Sequence, residues 1–230
     1  MAINRLNSMG GLESEETAVL ACRVFEPELT SLGVPPRRVL YLEQGLHRFP
    51  DRLRQELSAA LKKLERKKKV RRILLVYGYC GGGLEGLRTQ RVEIVLPLAH
   101  DCVPILLGRE MAGPQEGLRG TFYLSPGWID HGQTPYSEYF LDRERFGPEN
   151  ALWVGQRMLA GYHEVVLVDT GTGLRPHHRR YARGMARLFG LSYREVRGCR
   201  SWFRLLFRGE GGPQVLLVSP GRVLERRHYP

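Results

Sequence analysis

The chain has 230 residues, of which 42% are hydrophobic and 26% charged, and its net charge is +11. This composition is ordinary for a folded globular protein and excludes disorder over the whole length. No stretch approaches the 18 consecutive apolar residues of a transmembrane helix, and the first residues contain no apolar secretory segment. We therefore expect no membrane association and a cytoplasmic location.

The basic excess, 35 Lys and Arg against 24 Asp and Glu, raises the question of a nucleic-acid partner. The lysines all lie between Lys62 and Lys69, whereas the arginines are spread over the whole chain. Such a dispersed excess indicates a compositional bias more than a binding face, so nucleic acid is not expected as the main partner. The run at 66–69 is interpreted as the solvated end of a helix, where cations favour the helix dipole.

Aliphatic runs predict strands, and apolar residues spaced three to four apart predict helices. Residues 1–16 are expected to be a flexible lead, and 17–230 a single domain in which a lobe boundary could lie near 113–120. Asp51 is the expected N-cap of its helix, and Gly190 the stop of the last helix. In chain order, the predicted strands are 18–24, 38–42, 73–77, 92–96, 121–124, 165–168 and 215–218, and the predicted helices 51–69, 103–107, 148–162 and 176–189.

Strands that alternate with helices and read as unbroken aliphatic runs indicate an α/β protein. Its mostly parallel sheet should be flanked by helices on both faces. In such sheets, ligands bind outside the carboxyl ends of the strands. Cys22, Cys80 and Cys102 each lie at or shortly after such a predicted end. If these strands are neighbours, the three thiols should converge. Cys199 is interpreted as structural.

The sequence Gly-Tyr-Cys-Gly-Gly-Gly at 78–83 directly follows a predicted strand. Gly78, Gly81 and Gly82 would let the backbone turn sharply and approach a cofactor. Cys80 could then be a metal ligand, or a nucleophile presented as Ser is in a nucleophile elbow. The alternative is a tight turn with a buried cysteine.

The second motif is His100-Asp101-Cys102. Imidazole nitrogen and thiolate sulfur two residues apart suit zinc, and Asp101 could orient a ligand or act as a general base. Three cysteines with His100 would close a zinc site, whereas three cysteines alone would leave one iron of a [4Fe–4S] cluster open for substrate. The alternative is a His and a Cys buried beside a helix N-terminus.

Three further segments could bind substrate or move protons. They are the loop after the second strand, the Gly-bounded loop 127–132 and the end of the strand at 165–168. For each segment, the alternative interpretation is a helix cap or a turn without a functional role. The adjacent pair His177 and His178 is expected to be solvated. The candidates are His47, Arg48, Trp128, Asp169 and Thr170 for substrate binding, and Asp101, Asp130 and His131 for catalysis.

Five segments in order resemble domain-of-unknown-function family 1638: Ala21-Cys22, Tyr-Leu-Glu-Gln-Gly-Leu-His at 41–47, Tyr-Gly-Tyr-Cys-Gly at 77–81, His100-Asp101-Cys102 and Pro-Gly-Trp at 126–128. The resemblance covers most of the chain, from about 18 to 219. Members occur in bacteria and archaea, often encoded near corrinoid-dependent methyltransferases, and the family supplies no reaction. Cys22, Cys80, His100 and Cys102 match its pattern, and Cys199 does not.

The leading hypothesis is a metal-centred enzyme or metal-handling protein that acts on a small molecule, with Cys22, Cys80 and Cys102 as ligands and His100 as a ligand or neighbour. Zinc would activate a thiol for methyl transfer, and an iron–sulfur cluster would act as a Lewis acid. One alternative is a metal-free enzyme with Cys80 as nucleophile and His100 or His131 as base. Another is a non-catalytic accessory protein of a corrinoid methyltransferase system, which docks an acidic partner on its basic surface.

Overall fold

The computed structural model describes residues 16–108 and 120–229. In these ranges, one sheet has five strands in the order β2-β1-β3-β4-β8, all parallel except β8, and a second, parallel sheet has the order β5-β6-β7. The strands are β1 (Thr17–Cys22), β2 (Val39–Leu42), β3 (Arg72–Val76), β4 (Glu93–Pro97), β5 (Thr121–Leu124), β6 (Glu164–Asp169), β7 (Ser192–Arg197) and β8 (Val215–Val218).

Helices connect these strands and flank the sheets, so the predicted α/β class with a mostly parallel sheet is confirmed. Within the described part of the chain, no helix is both long and apolar enough to cross a membrane. The helices are α1 (Glu26–Ser31), α2 (Pro50–Glu65), α3 (Cys102–Leu107), α4 (Pro126–His131), α5 (Pro135–Phe146), α6 (Pro148–Met158), α7 (Pro176–Phe189) and α8 (Ser201–Arg208).

All seven predicted strands are present, with shifts of one or two residues at their ends. The predicted N-cap Asp51 is wrong, because α2 already begins at Pro50, after Phe49, and its last turn ends at Glu65. The segment 127–132, expected to be a loop, is the short helix α4, whose N-cap Ser125 accepts a hydrogen bond from the Trp128 N–H. Gly190 ends α7 in the left-handed conformation, as predicted.

Two elements near the C-terminal end follow patterns that the sequence reading did not recognise. The strand β7 alternates charged and half-buried residues at the edge of the second sheet. The helix α8 lies where no element was predicted, and it buries Trp202, Phe203, Leu206 and Phe207 in the main core. The flexible lead and the lobe boundary fall on residues outside the described ranges, apart from Glu16 and Gly120.

A buried acid joins the two sheets. Glu28 of α1 is completely buried, and its Oε1 accepts a hydrogen bond of 2.6 Å from the Thr170 hydroxyl, which follows β6. The other carboxylate oxygen, Oε2, has no hydrogen-bond partner. Burial therefore raises the pKa of Glu28 to about 7, although Thr170 and the positive charge of Arg200 oppose the shift.

Because the pKa of Glu28 is raised in the folded protein, we expect the protein to lose stability as the pH rises. The unfolded chain ionises Glu28 near the ordinary pKa of 4.5 and the folded chain near 7, so the free energy of unfolding should fall from pH ~4.5 through 7. Glu28→Gln stays neutral and should flatten this dependence, with a gain of up to about 3 kcal/mol at pH ~8. Urea unfolding across this pH range measures it. The exposed Glu56→Gln is the control, and an unchanged pH profile in Glu28→Gln would contradict the prediction.

Candidate functional site

Three cysteines meet where neighbouring parallel strands end. Cys22 is the last residue of β1, Cys80 follows β3 after a short turn, and Cys102 opens α3 after β4. Because β1 pairs with β3 and β3 with β4, these ends lie side by side at one edge of the sheet. All three cysteines line a single cavity of about 780 Å³. The sheet order thus produces the convergence that the strand-end placement predicted.

The cavity lies between the two sheets, since β5 and α4 also supply part of its wall. Its aromatic side is built by edge-to-face contacts, with Trp128 against His47 at 5.6 Å and Phe122 against Tyr162 at 5.7 Å between ring centroids. Polar groups occupy the region near the thiols. Besides the thiols, the polar and aromatic lining residues are Phe25, Glu43, Gln44, His47, Tyr77, Tyr79, His100, Asp101, Thr121, Phe122, Tyr123, Trp128 and Tyr162.

The predicted glycines position the thiol loops. A Cβ at Gly78 would lie 2.4 Å from the backbone of Asp101, so only glycine lets the Cys80 and Cys102 loops touch. Two hydrogen bonds fasten that contact, from Tyr79 N–H to the Ala99 carbonyl at 2.8 Å and from Cys80 N–H to the His100 carbonyl at 2.9 Å. Gly78 and Gly81 line the cavity. Gly82 does not, and its carbonyl accepts a hydrogen bond from Arg54.

Cys80 itself has a strained backbone. Its φ is +47°, and no other non-glycine residue in the described ranges has a positive φ. The next residue, Gly81, has a φ of +65°. A left-handed conformation costs an ordinary residue roughly 1–2 kcal/mol. A strained conformation of this kind persists where the surrounding structure holds the residue in place. Here the residue held in this conformation is Cys80, which lines the cavity.

Burial keeps the three thiols neutral in the absence of a neighbouring cation. It raises the pKa of Cys22 to about 12 and shifts the pKa of Cys80 and Cys102 well above the ordinary thiol range. Their mutual repulsion and the negative charge of Asp101 act in the same direction on Cys80 and Cys102. A free thiolate nucleophile needs the opposite environment.

Hydrogen-bond donors nevertheless lower the pKa of each thiol and so oppose the effect of burial. The indole Nε1–H of Trp128 donates to the Cys102 Sγ at 3.3 Å. Backbone N–H groups of Val24 and Gly78 favour the ionised forms of Cys22 and Cys80. Donors around a sulfur stabilise negative charge on it, so the site provides for thiolates although burial opposes them.

His100 and Asp101 form a pair at the edge of the cavity. The His100 Nε2 lies 3.1 Å from the Asp101 Oδ2, and this hydrogen bond raises the pKa of the imidazole. Asp101 also caps α3, because its Oδ1 accepts a 2.7 Å hydrogen bond from the Val103 N–H. Asp101 is thus both a partner of His100 and a helix cap beside the thiols.

The predicted substrate-binding residues separate into two groups. His47 and Trp128 line the cavity, and the His47 ring is held by the backbone and side chain of Gln44. The other three do not line it. Arg48 pairs with Glu138 of α5, Asp169 accepts the Gly171 N–H in a turn, and Thr170 bonds Glu28.

Asp130 and His131 of α4 also lie away from the cavity lining, so the fold does not bring them to the thiols. His131 pairs with Glu26 at 3.4 Å. Asp130 contacts His177 at 3.0 Å and His178 at 3.1 Å. The expectation that both histidines are solvated is wrong for His178, which is 1% exposed because it packs beneath α4.

In the described part of the chain, one group of three potential metal ligands has its ligand atoms within 4.8 Å of one another: Asp130, His177 and His178. Their hydrogen bonds argue against a metal there. The His178 Nδ1 accepts the Arg175 N–H, so the proton of a neutral ring is on Nε2 and is donated to Asp130. That nitrogen has no lone pair for an ion. The set is a hydrogen-bonded clamp between α4 and α7.

The sulfurs of Cys22, Cys80 and Cys102 do not form such a compact set among the described residues. A tetrahedral zinc ion with Zn–S bonds of about 2.3 Å would hold its sulfurs about 3.8 Å apart. The thiols are therefore more widely spaced around the cavity than the ligands of one preformed zinc site.

Sequence reasoning missed Tyr77 and most of the aromatic wall. Tyr77 directly follows β3 and stands inside the motif that contains Cys80, so its place at a strand end was the available signal. Phe122, Tyr123 and Tyr162 carried no such signal, because they belong to the second sheet and its connections. Cys199 is exposed and lies apart from the cavity lining.

Together, fold and site define an α/β protein with a cysteine-lined cavity between a mostly parallel sheet and a parallel one. The chain belongs to the family described as protein of unknown function (DUF1638), whose model matches residues 41–206. That range includes Cys80, His100 and Cys102, while Cys22 precedes it. No curated protein and no solved structure matches the chain.

The hydrogen bonds from Asp130 of α4 to His177 and His178 of α7 should make Asp130 important for stability. Asp130→Ala leaves the buried His178 Nε2–H without a partner, which should lower the free energy of unfolding by about 1–3 kcal/mol. Thermal unfolding measures the loss. The exposed Glu144→Ala of α5 should change it little. Unchanged stability together with lost ligand binding in Asp130→Ala would instead support a catalytic Asp130.

Proposed function

We propose that the cavity binds a [4Fe–4S] cluster through Cys22, Cys80 and Cys102, and that the protein is an enzyme acting on a small molecule at the iron without a cysteine ligand. The single observation behind this proposal is that three thiols, one buried and two half-buried, meet in one cavity at the ends of adjacent strands. Three cysteine ligands leave one iron of such a cluster available for substrate.

The electrostatics of the sulfurs support a cationic centre. Three thiols repel each other when ionised, and burial adds to the cost. The N–H donors at the sulfurs stabilise negative charge, so they interact more strongly with thiolates than with neutral thiols. A metal centre resolves this conflict, since its positive charge deprotonates the thiols on binding.

The spacing of the thiols favours a cluster over zinc. A single zinc ion needs its ligands close together, and among the described residues these sulfurs are not a set within 4.8 Å. A cubane cluster binds each cysteine on a different iron, so it requires wider spacing. The strained turn at Cys80 fits a demand for a fixed sulfur position.

The remainder of the cavity suits an organic ligand. A volume of about 780 Å³ lies in the range of small-molecule sites, and apolar walls with a few polar groups are typical of them. The open iron supplies Lewis-acid chemistry toward an oxygen or nitrogen of the ligand. Trp128 and His47 would hold the body of the ligand, while His100, paired with Asp101, can donate or accept a proton at the edge. Lyase or transferase chemistry fits these parts.

A metal-free enzyme with Cys80 as nucleophile is less well supported. Burial raises the Cys80 pKa, and His131, one of the two histidines proposed as bases, pairs with Glu26 and does not line the cavity. A nucleophilic cysteine needs a base or a nearby cation to form its thiolate.

The accessory-protein hypothesis draws on a different surface. Basic side chains line a concavity of about 280 Å³ at the amino ends of the strands, away from the thiols: Arg37, Arg38, Lys67, Lys68 and Lys69. The positive charge is thus more clustered there than its dispersal along the sequence predicted. This surface could attract an acidic partner, and a link to corrinoid methyl transfer remains a prediction.

Metal content after anaerobic purification tests the cluster. The protein, reconstituted with ferrous iron and sulfide, should bind about four irons per chain and absorb in the visible range. Cys80→Ala and Cys102→Ala should both lose most of this iron and also the stabilisation that the cluster provides. Cys199→Ala, at an exposed thiol outside the cavity, is the matched control and should retain the full cluster.

The competing hypotheses predict other results. Stoichiometric zinc in a colourless protein would replace the cluster with a zinc centre. Absence of bound metal, with fast iodoacetamide alkylation confined to Cys80, would support the nucleophile.

A further inference from the structure

A tyrosine hydroxyl lies among the thiols without a partner. Tyr77 is 3% exposed and lines the cavity, and its Oη has no hydrogen-bond partner. The groups that act on it electrostatically are Cys22, Cys80 and Glu43. Tyr77 and two of the three proposed sulfur ligands, Cys22 and Cys80, therefore line the same cavity.

An unpartnered buried hydroxyl is costly. Most buried polar groups in proteins are hydrogen-bonded, and leaving one unpaired costs about 1–3 kcal/mol. Phenylalanine would fill the same space without this cost. A tyrosine at this place is explained if its hydroxyl is paired when the cavity is loaded.

The Trp128–Cys102 contact shows the kind of partner that fits. The Trp128 Nε1–H donates to a sulfur at 3.3 Å, and backbone N–H groups serve the other two thiols. Beside Cys22 and Cys80, the acceptor that becomes available on loading is sulfur, either a thiolate or a sulfide of the centre. The neighbouring negative groups keep the phenol in its donor form.

We propose that Tyr77 is a positioning residue of the metal centre, whose hydroxyl donates a hydrogen bond to a cluster sulfur beside Cys22 and Cys80. This inference rests on the cluster of the proposed function. The hydrogen bond stabilises negative charge on the sulfur and so favours the reduced cluster and its retention.

Tyr77→Phe tests this role with readouts other than activity. The variant is reconstituted anaerobically with ferrous iron and sulfide, as is the parent protein. We expect its cluster to release iron to a chelator at least about tenfold faster, and its reduction potential to be more negative than that of the parent. Without metal, its melting temperature should equal or exceed that of the parent, because no hydrogen bond of the protein is lost.

Tyr181→Phe is the matched control. Its hydroxyl bonds the Thr134 Oγ1 in the second sheet's layer, away from the cavity lining. This variant should melt at a lower temperature while the potential and iron release stay at parent values. The two tyrosines therefore predict opposite patterns.

The outcomes separate the two proposals. A parent protein that assembles no cluster overturns the proposed function, and this inference with it. A parent that holds a cluster, with Tyr77→Phe matching it in potential and iron release, overturns the role of Tyr77 alone. A metal-free Tyr77→Phe that loses as much stability as Tyr181→Phe shows a structural tyrosine and also overturns it.

Discussion

The parallel pairing of β1, β3 and β4 is the constraint on which the site depends. Parallel strands leave a sheet at the same edge, so residues distant in sequence meet there when the strands are neighbours. Cys22, Cys80 and Cys102 use this edge, and the connections that follow β3 and β4 decide how deep each thiol lies. The second sheet then covers part of this space with β5 and α4, which turns an open edge into a partly enclosed, largely apolar cavity.

Close backbone packing at Gly78 holds this edge in place. Because a Cβ there would collide with Asp101, the Cys80 and Cys102 loops are fixed against each other by two backbone hydrogen bonds. Rigid loops of this kind place donors and acceptors without further ordering cost. The same rigidity keeps Cys80 in its left-handed conformation.

Buried polar groups serve different purposes in the two halves of the molecule. Glu28 and Thr170 join the sheets, and Asp130 joins α4 to α7 through two histidines; these groups have protein partners and stabilise the fold. The Tyr77 hydroxyl faces the cavity and lacks such a partner, while the Cys102 sulfur in the same lining accepts the Trp128 N–H.

The sequence by itself determined the strands, the α/β class and the positions of the thiols at strand ends, because aliphatic runs and glycine-bounded turns are local signals. It did not predict α8 or β7, whose amphipathic patterns are short. It also did not distinguish the two candidates that line the cavity, His47 and Trp128, from those that lie outside it: Arg48, Asp130, His131, Asp169 and Thr170. Those distinctions depend on strand order and on the packing of the second sheet. Only the tertiary structure decides them, because the contacts join residues far apart in the chain.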